Sequence, residues 1–122
     1  MRILILEDNG DRVKKFFEMF EEYSLVVVNS AADAISFAST SKFDAIFLDH
    51  DLGGKVYVNS EDENTGYQVA KMLSVSINHR TPVVIHSWNP DGAKKMKEAL
   101  RDHNAQVEIV PFETFGSEIL GK

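Results

Sequence analysis

Short apolar runs alternate along this chain with longer segments in which apolar residues recur every three or four positions. The first run, residues 3–6, ends directly at Glu7 and Asp8, which is typical of a strand buried on both faces. Residues 11–23 gather their aromatic and aliphatic side chains on one face, which predicts an amphipathic helix. The same two patterns predict further strands at residues 25–28, 43–48, 83–86 and 107–110, and further helices at residues 31–39, 66–76, 91–102 and 112–120.

Residues that favour helix starts stand in front of three of these helices. Ser30 precedes the second helix, Asn64 the third, and Asn89 with Pro90 the fourth, and these residue types cap helices or suit their first turn. Strands and helices alternate, and crossovers between parallel strands are right-handed. We therefore expect an α/β fold with five parallel strands, a short last helix, and one domain over residues 1–122. We assign it to the flavodoxin-like, doubly wound class, which implies the strand order 2-1-3-4-5.

Acidic residues stand at the ends of two predicted strands. Glu7 and Asp8 follow the first strand, and Asp49 and Asp51 follow the third. Because the carboxyl ends of neighbouring parallel strands share one edge of the sheet, these four carboxylates should converge. Close carboxylate pairs repel by about 1 to 4 kcal/mol, so a bound cation must compensate them. Such an all-oxygen set predicts a Mg²⁺ site, which Mn²⁺ could also occupy.

Asp49 is the candidate nucleophile, because a carboxylate beside a bound metal can attack phosphorus to form an aspartyl phosphate. Its alternative role is that of a metal ligand only. Ser87 and Asn89 follow the fourth strand, where they could hold phosphoryl oxygens or cap the next helix. Arg12 lies one helical turn beyond Asp8 and could bind a substrate phosphate or form an exposed ion pair.

Two histidines adjoin the predicted site. His50 directly follows Asp49, and His86 occupies the last inward position of the apolar fourth strand. Both could act as general acid or base, since imidazole titrates near neutral pH. Both could equally be buried hydrogen-bonding side chains. His79 and His103 are expected at the surface.

Composition narrows the class of protein. A formal net charge of -6 argues against an extended duplex nucleic-acid groove, which needs clustered Lys and Arg. There is no cysteine, so a metal must use oxygen or imidazole ligands, and a reducing cytoplasm is expected. No apolar run approaches the length of a membrane span. We therefore expect a cytoplasmic monomer that binds a phosphorylated small molecule or an RNA end, without a membrane partner.

The residues at the strand ends carry a family resemblance. Residues 3–9, residues 43–49 with Asp49 last, and residues 82–87 resemble the receiver domain of two-component response regulators over nearly the whole chain. The resemblance implies that Glu7 and Asp8 form the acidic pair that holds magnesium, that Asp49 is the phosphoacceptor, and that Ser87 is the hydroxyl residue of strand four. Receivers also carry a lysine before a proline at the end of strand five, where this chain has Val110.

Three further motifs look like a divergent group, the cyclic-phosphate-processing receiver domains: residues 48–54, residues 64–66 and residues 84–90. This resemblance implies an enzyme of RNA repair or nucleotide-signal conflict in a bacterium or a phage-infected host. It implies roles for both histidines and makes residues 53–63 a lid or substrate wall. The leading hypothesis is a metal-dependent phosphoesterase acting on a cyclic phosphate or nucleotide phosphate. The alternatives are a stand-alone receiver phosphorylated on Asp49 and a catalytically silent module that binds a nucleotide or protein.

Overall fold

A computed structural model describes residues 1–52, 58–87, 89–101 and 106–110. Its strands are β1 (Arg2–Leu6), β2 (Ser24–Val28), β3 (Ala45–Leu48), β4 (Val83–Ile85) and β5 (Val107–Ile109), and its helices are α1 (Gly10–Met19), α2 (Ala31–Thr40), α3 (Gly66–Leu73) and α4 (Pro90–Arg101). All strand pairs are parallel, in the order β2-β1-β3-β4-β5. The predicted fold and strand order are confirmed. The predicted helix at residues 112–120 lies outside the described residues, as do His103 and residues 53–57 of the expected lid.

Alternation along the strands sends side chains to two cores, one on each face of the sheet. On one face, Leu48 belongs to the core shared with α2, α3 and α4. On the other face, Phe47 packs with Phe16 and Phe20 of α1. The same alternation continues past the end of β3, so it directs Asp49 to the α1 side and His50 to the α4 side.

Backbone hydrogen bonds keep the strand ends in register beyond the strands themselves. Asp49 N donates to Leu6 O at 3.1 Å, and His86 N donates to Leu48 O at 3.0 Å. The residues that follow β1, β3 and β4 therefore meet at one edge of the sheet, which is the condition that any site built from them requires.

Two of the predicted caps are confirmed and one is wrong. Ser30 Oγ accepts from Asp33 N at 3.2 Å, and Asn89 Oδ1 accepts from Gly92 N at 3.0 Å. Asn64 does not cap α3, because Thr65 occupies that position; instead Asn64 Oδ1 accepts from Ala31 N at 2.9 Å and so ties the loop before α3 to the start of α2.

Two predicted helices are shorter in the structure. Helix α1 ends at Met19 rather than at residue 23, and Phe17, predicted on its buried face, is 50% exposed. Helix α3 ends at Leu73, where Ser76 Oγ donates a hydrogen bond to Leu73 O at 3.0 Å. Ile77, beyond this end, is 52% exposed. Within the described part of the chain, no helix combines the length and apolar character needed to cross a membrane.

Candidate functional site

Asp49 lies at the carboxyl end of β3 and is 4% exposed. Its Oδ1 accepts a hydrogen bond from His50 N at 2.8 Å, and its Oδ2 lies 3.6 Å from Arg12 Nη2. Gly66, at the start of α3, packs so closely on the Asp49 carbonyl oxygen that an added Cβ would collide with it. The backbone that carries Asp49 is therefore fixed by a close helix approach that only glycine permits.

Glu7 is buried and accepts hydrogen bonds from five donors. Its Oε1 accepts from Arg12 Nε at 2.8 Å and from His86 Nε2 at 3.0 Å. Its Oε2 accepts from Arg12 Nη2, Asp8 N and Asn9 N, each at 3.1 Å. Two carboxylate oxygens offer about four lone-pair directions, so Glu7 has no free direction for a metal ion. Glu7 organises the site by holding Arg12 and His86.

The two buried acids respond to this environment in opposite directions. Burial alone would raise the pKa of Glu7, but the hydrogen bond and the charge of His86, with the hydrogen bonds from Arg12 and Asn9, lower it to about 2. Burial raises the pKa of Asp49 to about 8, the charge of Glu7 adds to the shift, and Arg12 opposes it. The sequence predicted that these acids need a compensating cation, and the structure places Arg12 in part of that role.

His86 lies on the same side of the sheet, under α1. Its ring makes an edge contact with Phe16, with the ring centroids 5.4 Å apart. Burial lowers the pKa of His86, and Glu7 opposes that shift. With a proton on Nε2, the His86 ring donates a hydrogen bond to Glu7 Oε1 at 3.0 Å.

The donor set can be tested against Mg²⁺ and Mn²⁺. Ligand atoms of Glu7, Asp49 and His86 lie within 4.8 Å of one another. Glu7 Oε1 and His86 Nε2 are already joined by a hydrogen bond. The Oδ2 atom of Asp49, by contrast, has only the longer contact of 3.6 Å with Arg12 Nη2 among the described residues. Asp8, which is half-buried, adds a carboxylate at the same edge. Two carboxylates that leave room for water fit Mg²⁺ or Mn²⁺.

A second polar cluster occupies the other face of the sheet. His50 is fully buried, with Nδ1 2.7 Å from Asp51 Oδ1 and Nε2 2.9 Å from Ser60 Oγ. Its ring packs against Gly92, where an added Cβ would collide with it. Asp51 Oδ1 also accepts from Val58 N at 3.1 Å. Both ring nitrogens of His50 are thus engaged in a hydrogen-bond network that joins β3, α4 and residues 58–60.

The structure brings some of the predicted site residues together and separates others. Glu7, Asp49, Arg12 and His86 share one cluster, with Asp8 at its margin. His50 and Asp51 belong to the second cluster, and Asn89 joins them through Nδ2, which donates to Asp51 Oδ1 and Val58 O at 3.2 Å each.

Ser87 Oγ accepts a hydrogen bond from Asn89 N at 3.1 Å, so it supports the turn before α4, whereas Asn89 caps the helix itself. The contact of Ser87 with phosphate stays a prediction. The hydroxyl proton of a serine remains available to a further acceptor in this arrangement. His79 is exposed as predicted.

Three residues of these clusters were not predicted from the sequence. Ser60 had no signal, because its contact with His50 depends on the path of the loop. Gly66 and Gly92 each stand in the first turn of a helix. A glycine inside a helical pattern indicates close packing, so that signal was present for both.

A family model described as "Cyclic-phosphate processing Receiver domain" matches residues 2–102. No curated protein matches the chain.

Solved receiver domains share the fold. One from a sensor histidine kinase of Pseudomonas aeruginosa, with a magnesium ion coordinated in its active-site cleft, is 18% identical, with 99% of this chain and 98% of that chain covered and a TM-score of 0.67. The response regulator TrrA of Thermotoga maritima, in complex with Mg²⁺-BeF, is 16% identical, with 98% and 92% covered and a TM-score of 0.70. The Mn²⁺-bound response regulator Rcp1 is 18% identical, with 98% and 94% covered and a TM-score of 0.69. At these identities the likeness shows the fold.

Proposed function

Because the chain belongs to the cyclic-phosphate processing receiver domain family, we propose that it is a metal-dependent phosphoesterase that acts on a cyclic phosphate. The observation that carries the proposal is the buried Asp49 carboxylate, whose Oδ2 faces Arg12 at the carboxyl edge of the sheet. A buried acid with a strongly raised pKa beside a cation is typical of a reactive site.

Metal binding is assigned to Asp8 and Asp49, with Glu7 holding the surrounding groups. This assignment is supported by the carboxylate oxygens that Asp8 and Asp49 offer and by the five hydrogen bonds that already occupy Glu7. The Mg²⁺ and Mn²⁺ ions in solved receivers also support it. A divalent ion bound there would supply positive charge against the phosphoryl oxygens.

The chain's own residues would then hold the substrate and perform the displacement. Arg12, whose side chain is 25% exposed, would donate to a phosphoryl oxygen beside Asp49. Ser87, at the end of β4, donates a hydrogen bond from its hydroxyl group to a phosphoryl oxygen. Asp49 acts either as the nucleophile on phosphorus or only as a ligand of the metal ion, in which case water is the nucleophile. His86 positions Glu7 and, through it, Arg12, whereas His50, Asp51 and Asn89 support the site from the other face.

Phosphorylation of Asp49 in signalling is the second candidate, because the receiver fold and a buried strand-end aspartate also suit that role. At the end of β5, where receivers carry a lysine, this chain has the buried residue Val110. Among the residues that the structure describes, Arg12 is the cation that contacts Asp49. The third candidate is a module that binds a nucleotide or protein without turnover.

The experiment is turnover of nucleoside 2′,3′-cyclic phosphates, 3′,5′-cyclic nucleotides and cyclic-phosphate RNA ends with Mg²⁺, beside a phosphodonor control. We expect hydrolysis that needs the metal and that falls by about 1,000-fold or more in Asp49→Asn. Glu98→Gln, an exposed acid on α4, is the control and should retain activity. Stable labelling of Asp49 without turnover would favour the signalling receiver, and saturable binding with neither would favour the silent module.

The stereochemical course at phosphorus separates the two roles of Asp49, measured with a single diastereomer of a nucleoside 2′,3′-cyclic phosphorothioate hydrolysed in ¹⁸O-labelled water. If Asp49 is the nucleophile and its aspartyl intermediate is hydrolysed at phosphorus, two successive displacements retain the configuration; if it is hydrolysed at the acyl carbon, the ¹⁸O enters the Asp49 carboxylate in the first turnover. If Asp49 is only a ligand, a single attack by water inverts the configuration and leaves the Asp49 carboxylate unlabelled.

A further inference from the structure

A groove of about 490 Å³ opens between α1 and α2 beside the candidate site. It is in the size range of small-molecule sites. Its lining includes Asp8, which also belongs to the metal site, and extends to Asn29 and Asp33 at the start of α2. We name this space the α1–α2 groove. Because the groove adjoins the sheet edge where Asp49 is proposed to meet the phosphate, one ligand can occupy the groove and that edge together.

The charge of the lining decides which part of a ligand it suits. The described lining carries the carboxylates of Glu7, Asp8 and Asp33 and contains no Lys, Arg or His. A phosphate group would be repelled there, so the groove suits an uncharged part of the substrate that carries hydrogen-bond donors. Phosphate recognition stays with Arg12 and the metal at the Asp49 edge.

The apolar part of the lining suits a planar ring. Val13 and Val27 are partly buried, and Phe37 is 41% exposed. An exposed aromatic ring beside apolar side chains is the surface on which nucleobases stack. Gly10 adds no side chain to the groove, and a Cβ placed there would meet nothing within 4 Å. Open space therefore remains at the end nearest Asp8.

Hydrogen bonding narrows the choice of base. Among the described residues, the side chains of Asn29 and Asp33 form no hydrogen bond with one another or with a neighbour; Ser30 caps only the backbone of Asp33. A carboxylate is best matched by two parallel N–H donors. Guanine offers this pair on its Watson–Crick edge, at N1 and at its amino group. Adenine and cytosine offer only the amino group there, and uracil a single imide N–H.

We propose that the α1–α2 groove binds the guanine base of a guanosine cyclic phosphate, with Asp33 as the specificity-determining residue and Phe37 as the stacking surface. This inference rests on the proposed phosphoesterase function, since it assigns the substrate's base while the Asp49 edge takes its phosphate.

The test compares kcat/KM for the four nucleoside 2′,3′-cyclic phosphates and for glycerol 1,2-cyclic phosphate, which has no base. We expect kcat/KM for the guanosine substrate to exceed that for the other nucleotides by about tenfold or more. Asp33→Asn should reduce kcat/KM for the guanosine substrate to about the value for the other nucleotides. Phe37→Ala should raise KM for every nucleotide. Asp11→Asn removes an exposed acid from the first turn of α1, outside the groove, and should keep the guanosine preference.

The outcomes separate the two proposals. Turnover without base preference, or a preference that Asp33→Asn leaves intact, overturns the groove assignment and keeps the phosphoesterase. Absence of turnover with every substrate, including the glycerol compound, overturns the phosphoesterase. In that case calorimetric binding of guanosine 2′,3′-cyclic phosphate still decides the groove: binding lost in Asp33→Asn supports it, and no binding to the unaltered protein overturns it.

Discussion

Asp49 and His50 are consecutive residues, yet they belong to clusters of opposite character on the two faces of the sheet. On the α1 side, Oδ2 of Asp49 lies 3.6 Å from Arg12 Nη2, and burial raises the pKa of Asp49 to about 8. On the α4 side, both nitrogens of His50 and Oδ1 of Asp51 have partners at 2.7 to 3.2 Å.

At this sheet edge, the candidate reactive groups and the structurally supporting groups lie on opposite faces. A buried group whose hydrogen bonds are complete stabilises the fold, because exchanging any partner leaves another group unsatisfied. A buried group whose charge is only partly compensated retains binding energy for a ligand. We therefore place reactivity on the Asp49 side and structural support on the His50 side.

The largest effect on stability should come from Glu7. Glu7→Ala leaves the Arg12 guanidinium and the His86 N–H without their acceptor, so we expect a loss of about 3 to 5 kcal/mol in the free energy of unfolding. Urea denaturation measures it, with the exposed helix residue Glu18→Ala as a control expected to change by about 0.5 kcal/mol or less. A loss as small as that of the control would mean that Glu7 does not organise the site.

Asp49 should show a pH-dependent effect of opposite sign. Its folded pKa of about 8 lies above the ordinary value of 3.8, so its contribution to stability is fully present at low pH and is lost as pH rises through about 8. The amide introduced by Asp49→Asn mimics the protonated acid at all pH values. Without divalent metal, we expect Asp49→Asn to be more stable than the unaltered protein by about 3 kcal/mol at pH 8, and by little at about pH 4.

Parallel denaturation curves at the two pH values check this expectation. A stability difference that is independent of pH would show that the Asp49 pKa is close to that of an ordinary aspartate. Saturating Mg²⁺ should stabilise the unaltered protein at pH 8 and leave Asp49→Asn unchanged, since a ligand stabilises only the state that binds it.

On the other face, His50→Ala should cost about 2 kcal/mol, because it removes the hydrogen bonds that the ring forms with Asp51 and Ser60. Thermal unfolding and Mn²⁺ affinity would be measured together. The comparison predicts a lower midpoint with Mn²⁺ affinity within about twofold of the unaltered protein. A loss of Mn²⁺ binding without a loss of stability would move His50 to the reactive side.

The smallest effect is expected at Ser60. Ser60→Ala removes one hydrogen bond to His50 Nε2, for a loss of about 1 kcal/mol. Amide hydrogen exchange in residues 58–65 should increase, while exchange at Asp8 and Asn9 should not change. Equal increases at both places would show that the two clusters are coupled rather than separate.

The sequence was sufficient for the sheet and for the meeting of Glu7 with Asp49. Apolar runs and helical periodicity are local signals that predict a parallel sheet covered by helices, and the strand order is that of the flavodoxin-like class to which the pattern was assigned. Once β1 and β3 are neighbours, with Leu6 opposite Leu48, the residues after them must adjoin.

The sequence was not sufficient for the placement of Asp51 and His50. A continued strand would have returned Asp51 to the side of Asp49. Instead, Asp51 pairs with Thr65 in an antiparallel bridge, and its carboxylate joins His50 and Asn89. That bridge depends on the path of a long polar segment without periodicity, which local patterns do not specify. For Arg12 the sequence left open a phosphate contact or an exposed ion pair. Its ion pair with the buried Glu7 depends on distances in three dimensions, which the sequence pattern does not specify.

Line broadening by Mn²⁺ in the amide ¹H–¹⁵N spectrum tests the central claim most directly, because it locates the metal relative to both clusters. The account predicts that signals of Asp8, Asn9 and Asp49 disappear first, that those of Val58 and Ser60 persist to higher Mn²⁺ concentration, and that Asp49→Asn abolishes the selective loss. Broadening centred on Asp51, Ser60 and Asn89, or no selective broadening at millimolar Mn²⁺, would contradict it.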